Sequence, residues 1–372
     1  MKVLYVCRLD GADLRAALMC NSLQAVGHDV VFVGWDRDGG RKKVLLNPSI
    51  RQRVLVTDGD HGTARRMADF VRLVWRSIRE EKPDVVQAVN EDVAVMTLPL
   101  KGIAYKKLVL DVYDSVIANP SRERFGRLVR PLIRDLGNAK ADRIIETWEL
   151  LSELLGRHQK KAVIIANCCP DPGAEHALNY PVGDEVLISV GGTLSRKRDQ
   201  LDVLVAAAER CPKGSVRILA SGLLRDDYAR DVFAKHPLVT YRWLEKPRDF
   251  LVAAAASDAI LYLRGDAAES EYRARVVPNR LFDALSIGRP LVISRDTRIS
   301  EWVAKHDYGF AWRSGDVEGL SQIFLSLKER RKSLPAFAAR LRSDYVNAYT
   351  WACMEQRLKA MYDELQGELS HS

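Results

Sequence analysis

The strongest constraint on this chain is the order in which strand-length apolar runs and amphipathic helical stretches alternate. Val3-Leu4-Tyr5-Val6-Cys7 is a short apolar run that gives way to the turn-like Arg8-Leu9-Asp10-Gly11. Residues 13–26 then carry Leu14, Ala17, Leu18 and Leu23 at near-helical spacing, and Gly27 closes that helix. Residues 29–35 return to a strand. Two strands joined by one helix lie parallel, with a right-handed crossover. The pattern recurs. Met67, Phe70, Val71, Val74 and Ile78 share one helical stripe, Lys82-Pro83 ends it, and strands are expected at 84–89, 107–112, 143–146 and 162–165. A second series opens near Glu185 with a strand over 186–190 and Gly191-Gly192 as its turn. A helix over 199–210 follows, then strands at 216–220, 239–243, 259–263 and 290–294.

The stretch 171–183, DPGAEHALNYPVG, separates the two series and reads as a linker. The expected fold class is therefore α/β: two Rossmann-like doubly wound parallel-sheet domains facing a cleft, with ligands at the carboxyl ends of their strands. The first domain is expected over 1–175 and the second over 176–349. Residues 334–366 read as helical with a break near Tyr349-Thr350, and the helix of about 350–372 either caps its own domain or crosses back to the first. A length of 372 residues suits two domains of ordinary size.

Several function classes are disfavoured by what the residues lack. No basic n-region with a long apolar core opens the chain, and no apolar stretch approaches the roughly 18 residues of a membrane span. A cytoplasmic location is the expectation. Six cysteines are scattered without a CxxC pair and seven histidines without an HxxxH, so buried thiols and no dedicated metal site are expected. Lys plus Arg outnumber Asp plus Glu 57 to 49, which favours anionic partners such as nucleotide diphosphates, acidic lipid surfaces or acidic glycans. That excess is too small and too dispersed to indicate nucleic acid. The first loop holds one glycine, Gly11, and neither GxGxxG nor a Walker A sequence is present, which disfavours nicotinamide dehydrogenases and P-loop nucleotidases.

Two clusters remain. Gly191-Gly192-Thr193 precedes Arg196-Lys197-Arg198; glycine backbone, a helix N-terminus and cations would together hold a diphosphate. A tight turn with solvated charges fits those residues equally well. In the second cluster, Pro278 starts a helix whose first turn holds Asn279 and Arg280, with Leu281, Phe282, Ala284 and Leu285 on its buried face. Asp283, one turn in, is placed to accept from a ribose diol, although a capped helix with a solvated Asp is the simpler reading of these residues alone.

Taken in order, these segments resemble the group 1 glycosyltransferases, a retaining family with the GT-B fold, over nearly the whole chain. VLISVGGTLSRKRDQLDVLVAAAERCP resembles the family's strand, glycine loop, lysine and helix, with Lys197 at the diphosphate-binding lysine. ILASG resembles its next glycine turn at Ser221-Gly222, and VPNRLFDALSIGRPLVIS followed by Glu301 looks like the donor-site helix, strand and loop. GADLRAALMCNSLQAVGHDVVFVG resembles the opening loop around Gly11, and Trp351 a frequent aromatic of the final helix. Two departures stand out. An arginine of many relatives is replaced by Gly192, with Arg196 or Arg198 as substitutes, and the family's Glu-x7-Glu pair maps to Arg275 and Asp283. Arg275 leaves the donor sugar open and admits an acidic one.

The resemblance implies a UDP- or GDP-linked sugar donor, a glycan or lipid-linked acceptor, and no cofactor or metal. It places Lys197, Arg196 and the amides of 279–281 on the leaving diphosphate, Asp114 near the acceptor hydroxyl, and Arg242-Trp243 near the nucleobase. Trp243 reads equally well as core and Asp114 as a helix cap. Association with the inner face of an anionic membrane is a further expectation. It rests on Arg65, Arg72, Arg76 and Arg79 opposite the Met67 stripe, and on Arg127, Arg130 and Arg134 opposite Phe125, Leu128, Val129 and Leu132; an ordinary solvated face is the alternative. The rival readings are a nucleotide-sugar epimerase of the same fold, a secreted two-lobed ligand-binding protein, and a degenerate transferase acting as a partner.

Overall fold

A computed structural model describes residues 1–37, 39, 44–57, 63–117, 124–168, 171–173, 183–244, 247–265 and 270–371. The chain divides into two compact units, 1–167 with 354–372, and 168–353. Most of the linker expected at 171–183 lies outside the described residues.

The first unit is built on seven strands: β1 (Lys2–Val6), β2 (Asp29–Asp36), β3 (Arg51–Val56), β4 (Val85–Val89), β5 (Lys107–Asp111), β6 (Arg143–Glu146) and β7 (Ala162–Ile164). They pair in parallel in the order β3-β2-β1-β4-β5-β6-β7. Every residue of β4 is buried, as are all but the first of β1 and β2, because helices on both faces of a parallel sheet leave no wet side. Leu4, Val6, Val31 and Val33 pack against Phe70, Val74 and Ile78 of α2 (Thr63–Glu81). Asp13 caps α1 (Leu14–Ala25), accepting from the Ala16 amide at 2.8 Å. Strand β3, absent from the sequence expectation, is an edge strand that opens Arg-Gln-Arg. Its Arg51 and Arg53 bind Glu81 of α2, which hides the strand from any search for apolar runs.

Two more helices complete the parts of this unit that matter below, α3 (Glu91–Thr97) and α4 (Arg124–Lys140). The expectation for α4 is corrected. Leu128 and Leu132 are 66% and 67% exposed rather than buried, while Arg130 and Arg134 lie on the half-buried side. The face that packs on α3 carries Gly137, whose Cβ position lies 3.2 Å from Glu91 Cβ. The side chains of Phe125 and Arg127 lie outside the described residues.

The second unit carries β8 (Val186–Leu194), β9 (Val216–Leu224), β10 (Val239–Tyr241), β11 (Ala259–Tyr262), β12 (Leu291–Ser294) and β13 (Gly309–Trp312), parallel in the order β10-β9-β8-β11-β12-β13. Both sheets thus reverse strand order beside their first strand, the place where open parallel sheets bind ligands. Two expectations are corrected here. Gly191-Gly192 and Ser221-Gly222 are not turns: β8 and β9 run on through them, with Gly191 opposite Ser221 and Gly192 opposite Gly222. The helix expected over 199–210 is broken at Gln200 (φ 49°) into α5 (Arg196–Asp199) and α6 (Leu201–Arg210). Gln200 is tied down at that break by the Gly315 amide, which donates to its Oε1 at 2.9 Å. The helices α7 (Asn279–Ser286), α8 (Val317–Arg330) and α9 (Leu334–Ala348) follow.

After the break at Tyr349-Thr350 comes α10 (Trp351–Ser370), whose residues from Met354 on belong to the first unit. Tyr362 Oη donates to buried Gln87 at 2.7 Å, and Glu368 binds Lys107 and Arg143 at 2.5 and 2.6 Å.

The β8–β9 approach is tight enough to test. A Cβ on Gly222 would stand 1.8 Å from the Gly192 carbonyl oxygen at φ 123°, whereas one on Gly214 (φ 76°) meets nothing within 4 Å. Gly222→Ala is expected to cost about 3 kcal/mol or more in denaturant unfolding and Gly214→Ala about 1 kcal/mol, the difference being the collision.

Candidate active site

The glycine ladder leaves bare backbone near the carboxyl ends of β8 and β9. A Cβ on Gly191 would collide with the Phe250 ring at 2.5 Å, and Tyr241 Oη donates to the Gly222 carbonyl at 2.8 Å. Onto this backbone comes Arg280, from the first turn of α7. Its Nε donates to the Gly191 carbonyl at 3.2 Å, its guanidinium carbon lies 4.2 Å from the Phe250 ring centre, and its Nη2 is 3.4 Å from where a Gly192 Cβ would be. Asp283, three residues on and 8% exposed, forms an ion pair with Arg280. Burial pushes the Asp283 carboxyl up and the Arg280 charge pulls it back. Asp283 is therefore an anchor for Arg280 and not a solvated residue.

Pro278, in an extended conformation (φ −73°, ψ 141°), opens α7 with Asn279, Arg280 and fully buried Leu281 in its first turn. The Leu281 amide donates to the Pro278 carbonyl at 3.0 Å, which leaves the Asn279 and Arg280 amides as the open donors at the helix's positive dipole end.

The cations after β8 are used unevenly. Arg196 Nε binds Asp202 at 2.9 Å and its guanidinium stacks on Tyr228 at 4.8 Å. Arg198 binds Asp199 at 3.0 Å and donates to the Thr193 carbonyl. Neither covers Gly192; the guanidinium there is that of Arg280. Lys197 stands between the two in α5, and its carbonyl bears on Gly265, whose Cβ would lie 2.4 Å away. Arg275 binds Glu271 at 2.6 Å. Ser221 is 3% exposed, while Arg242 is exposed and Trp243 is 60% exposed, so Trp243 is no core residue.

The first unit gathers polar groups at the same end of its sheet. Gly11 accepts from the Leu45 amide at 2.8 Å, and its Cβ would meet Leu46 at 2.9 Å. Buried Arg15 binds Asp111 at 2.9 Å, the Ile165 carbonyl at 2.8 Å and Asn167 at 3.0 Å. Tyr113 Oη donates to Asp13 at 3.0 Å. The loop after β5 is gripped by two consecutive residues. Asn90 Oδ1, on a backbone at φ 67°, accepts from the Tyr113 and Asp114 amides at 2.8 and 3.1 Å. Glu91 accepts from Ser115 Oγ and, at 2.9 Å, from the Val116 amide. Asp114 stays exposed, yet the surrounding protein raises its carboxyl above the ordinary range.

Glu146, at the carboxyl end of β6, is 4% exposed, and its Oε2 has no hydrogen-bond partner among the described residues. Burial pushes its carboxyl well up, the nearby Glu91 and Asp111 add to that, and the Thr147 amide and Arg15 oppose it. Sequence reasoning passed over Arg15, Asn90, Glu91 and Glu146. The available signal was the acid that closes an apolar strand, LVLD for Asp111 and RIIE for Glu146.

Among the described residues, no group of three or more His, Cys, Asp or Glu could hold a metal ion, and no helix is long and apolar enough to cross a membrane.

No protein-family model matches the sequence, and no curated protein matches it. Solved structures do. Sucrose-phosphate synthase of Thermosynechococcus elongatus superposes with a TM-score of 0.76 over 99% of both chains at 14% identity. Anabaena HepE in complex with UDP-glucose superposes at 0.70, over 98% of this chain and 100% of its own, at 15% identity. WaaG, a glycosyltransferase involved in lipopolysaccharide biosynthesis, superposes at 0.69, over 96% and 99%, at 13% identity. At these identities the likeness establishes the fold: this chain has the GT-B fold that the resemblance implied.

The buried acid generates a pH prediction. A carboxyl raised in the folded state contributes its full stability below the unfolded value, about 4.3 for Glu, and loses it as pH climbs toward the folded value. Glu146→Gln removes that loss. Its melting temperature should match the parent near pH 4.5 and exceed it increasingly between pH 5 and 8; a gap that shrinks over that range would mean Glu146 is ionised when folded.

Proposed function

We propose that the chain is a retaining glycosyltransferase that takes a sugar from a UDP- or GDP-linked donor and passes it to a glycan or lipid-linked acceptor in cell-surface polysaccharide or glycolipid synthesis, without a metal. The observation that carries this reading is the Arg280 guanidinium held over the Gly191-Gly192 backbone beside the Asn279 and Arg280 amides that open α7. Fixed donors of this kind suit a diphosphate whose charge grows as it leaves. The sugar C1–O bond to the diphosphate breaks and the acceptor oxygen bonds to C1 on the same face. The acceptor proton passes to the departing phosphate oxygen, so no strong protein base is required. Lys197 joins Arg280 on the diphosphate, and the exposed Trp243 offers a face to the base. The likeness to HepE, whose structure holds UDP-glucose, and to WaaG, which acts in lipopolysaccharide biosynthesis, supports the donor and acceptor classes.

Arg196 and Arg275 are given lesser parts than the sequence suggests. Arg196 is committed to Asp202, and an acidic donor sugar would have to draw Arg275 from Glu271. For the membrane face, the exposed Leu128, Leu132 and Leu136 of α4 supply apolar contact that an arginine face alone lacks.

Two measurements test these assignments. Arg280→Ala and Lys197→Ala should each weaken UDP or GDP binding about tenfold by calorimetry, and the parent should release diphosphate from a nucleotide sugar in the presence of acceptor, with the anomeric configuration retained by NMR. Unchanged affinity in both variants, or no turnover across a donor panel, removes the enzyme reading; interconversion of donor sugars without transfer makes the protein an epimerase. Separately, Leu128→Glu with Leu132→Glu should lower co-sedimentation with vesicles containing anionic phospholipid about tenfold; unchanged binding would return α4 to an ordinary solvated helix.

A further inference from the structure

A concave site lies at the opposite end of the second unit's sheet from the glycine ladder. Gly191, Gly192 and Gly222 stand toward the carboxyl ends of β8 and β9, whereas Asp258, Pro290 and Gly309 stand at the amino ends of β11, β12 and β13. Because all these strands are parallel, the two places are separated by at least the length of β12, four residues or roughly 13 Å. The concavity opens to solvent, with Phe310, Leu327, Leu334 and Phe337 as apolar walls.

The charges at its rim differ in how far they are committed. Asp258 accepts from Arg331 at 2.6 and 2.7 Å and from the Leu187 amide at 2.8 Å. Arg331 spends its remaining donors on the Gly183 and Glu185 carbonyls. Asp307 binds Arg340 at 3.1 Å. Both rim carboxylates are thus neutralised by arginines that have nothing left to offer a ligand at those contacts. Arg330 is different. Its guanidinium carbon lies 4.8 Å from the Phe310 ring centre, and no ion pair or side-chain hydrogen bond engages that group among the described residues. A planar guanidinium parked on the aromatic wall of a cavity, with its N–H donors open, is a carboxylate receptor in waiting, because guanidinium and carboxylate pair through two parallel hydrogen bonds.

We propose that this concavity binds a small aryl carboxylate, its apolar body against Phe310 and Phe337 and its carboxylate on Arg330. The apolar walls select against a bare hydrated anion, which would lose water there without gaining contacts. The single uncommitted cation selects a monoanion over a neutral ring. The site is independent of the diphosphate reading, since no residue of one lines the other.

The probe is naphthalene-2-carboxylate, with naphthalene-2-carboxamide as its neutral isostere and inorganic phosphate as a bare anion. Calorimetry and saturation-transfer NMR on the full chain, with and without saturating UDP, measure binding. One carboxylate per chain is expected, with the amide and phosphate at least tenfold weaker and UDP without effect on the carboxylate. Arg330→Ala, at an exposed position where folding is not at stake, should weaken the carboxylate about tenfold with an unchanged melting temperature. No carboxylate binding, equal binding of amide and carboxylate, phosphate as tight as carboxylate, displacement by UDP, or an Arg330→Ala variant that binds normally would each overturn the assignment.

Discussion

The β8–β9 pairing at Gly192 and Gly222 is the contact on which the second unit's site depends. A Cβ on Gly222 would fall within 1.8 Å of the Gly192 carbonyl oxygen, and both residues sit at positive φ, 105° and 123°. Only glycine lets the strands stay paired to their last residues at that spacing. The same bareness that permits the pairing leaves a surface onto which a side chain from elsewhere can settle, and Arg280 settles there. One backbone requirement therefore serves two ends, continuing the sheet and clearing a seat for a cation.

How much of this was legible in the residues depends on what each element packs against. Strands such as β1 and β4 are buried on both faces, so their burial is written as a continuous apolar run. Strand β3 opens with two arginines because its partners Glu80 and Glu81 are on α2, a pairing no local pattern reports. Strand β13, four residues with glycine first, is too short to show a period. The glycines of β8 and β9 announced freedom of φ but not what that freedom was for, and a turn was the nearer inference. For α4 the leucines gave the wrong face: the side toward α3 carries Gly137 against Glu91, and a glycine leaves no apolar letter to mark a packed face.

The first unit handles charge differently from the second. Arg15 and Asp111 neutralise one another by a direct pair at 2.9 Å. Glu146, a few residues away in the sheet, has no such partner and is pushed toward its neutral acid form by burial and by Glu91 and Asp111. Glu91 in turn is spent on the loop after β5, through Ser115 and Val116. The carboxyl end of this sheet is thus ordered by hydrogen bonds that hold backbone in place, with Asp114 left exposed at the tip of the held loop. These are the residues a sequence reader passes over, since each is an isolated polar letter whose partners come from other strands.

Arg280 carries the argument furthest. In the resembled family a loop arginine stands where this chain has Gly192, and the two nearest arginines in sequence, Arg196 and Arg198, are turned onto Asp202 and Asp199. The guanidinium that reaches the vacated place comes from α7, braced by Asp283 within its own helix and by the Gly191 carbonyl of β8. A cation supplied by the loop would be positioned independently of the helix amides. Supplied by α7, it is part of the same rigid turn as those amides, so charge and hydrogen-bond donors are fixed relative to one another before any ligand arrives. Preorganisation of this kind removes the ordering cost that a flexible side chain would incur on binding. It also explains why Asp283 is buried rather than offered to solvent: its carboxylate is the counterweight that holds Arg280 in position.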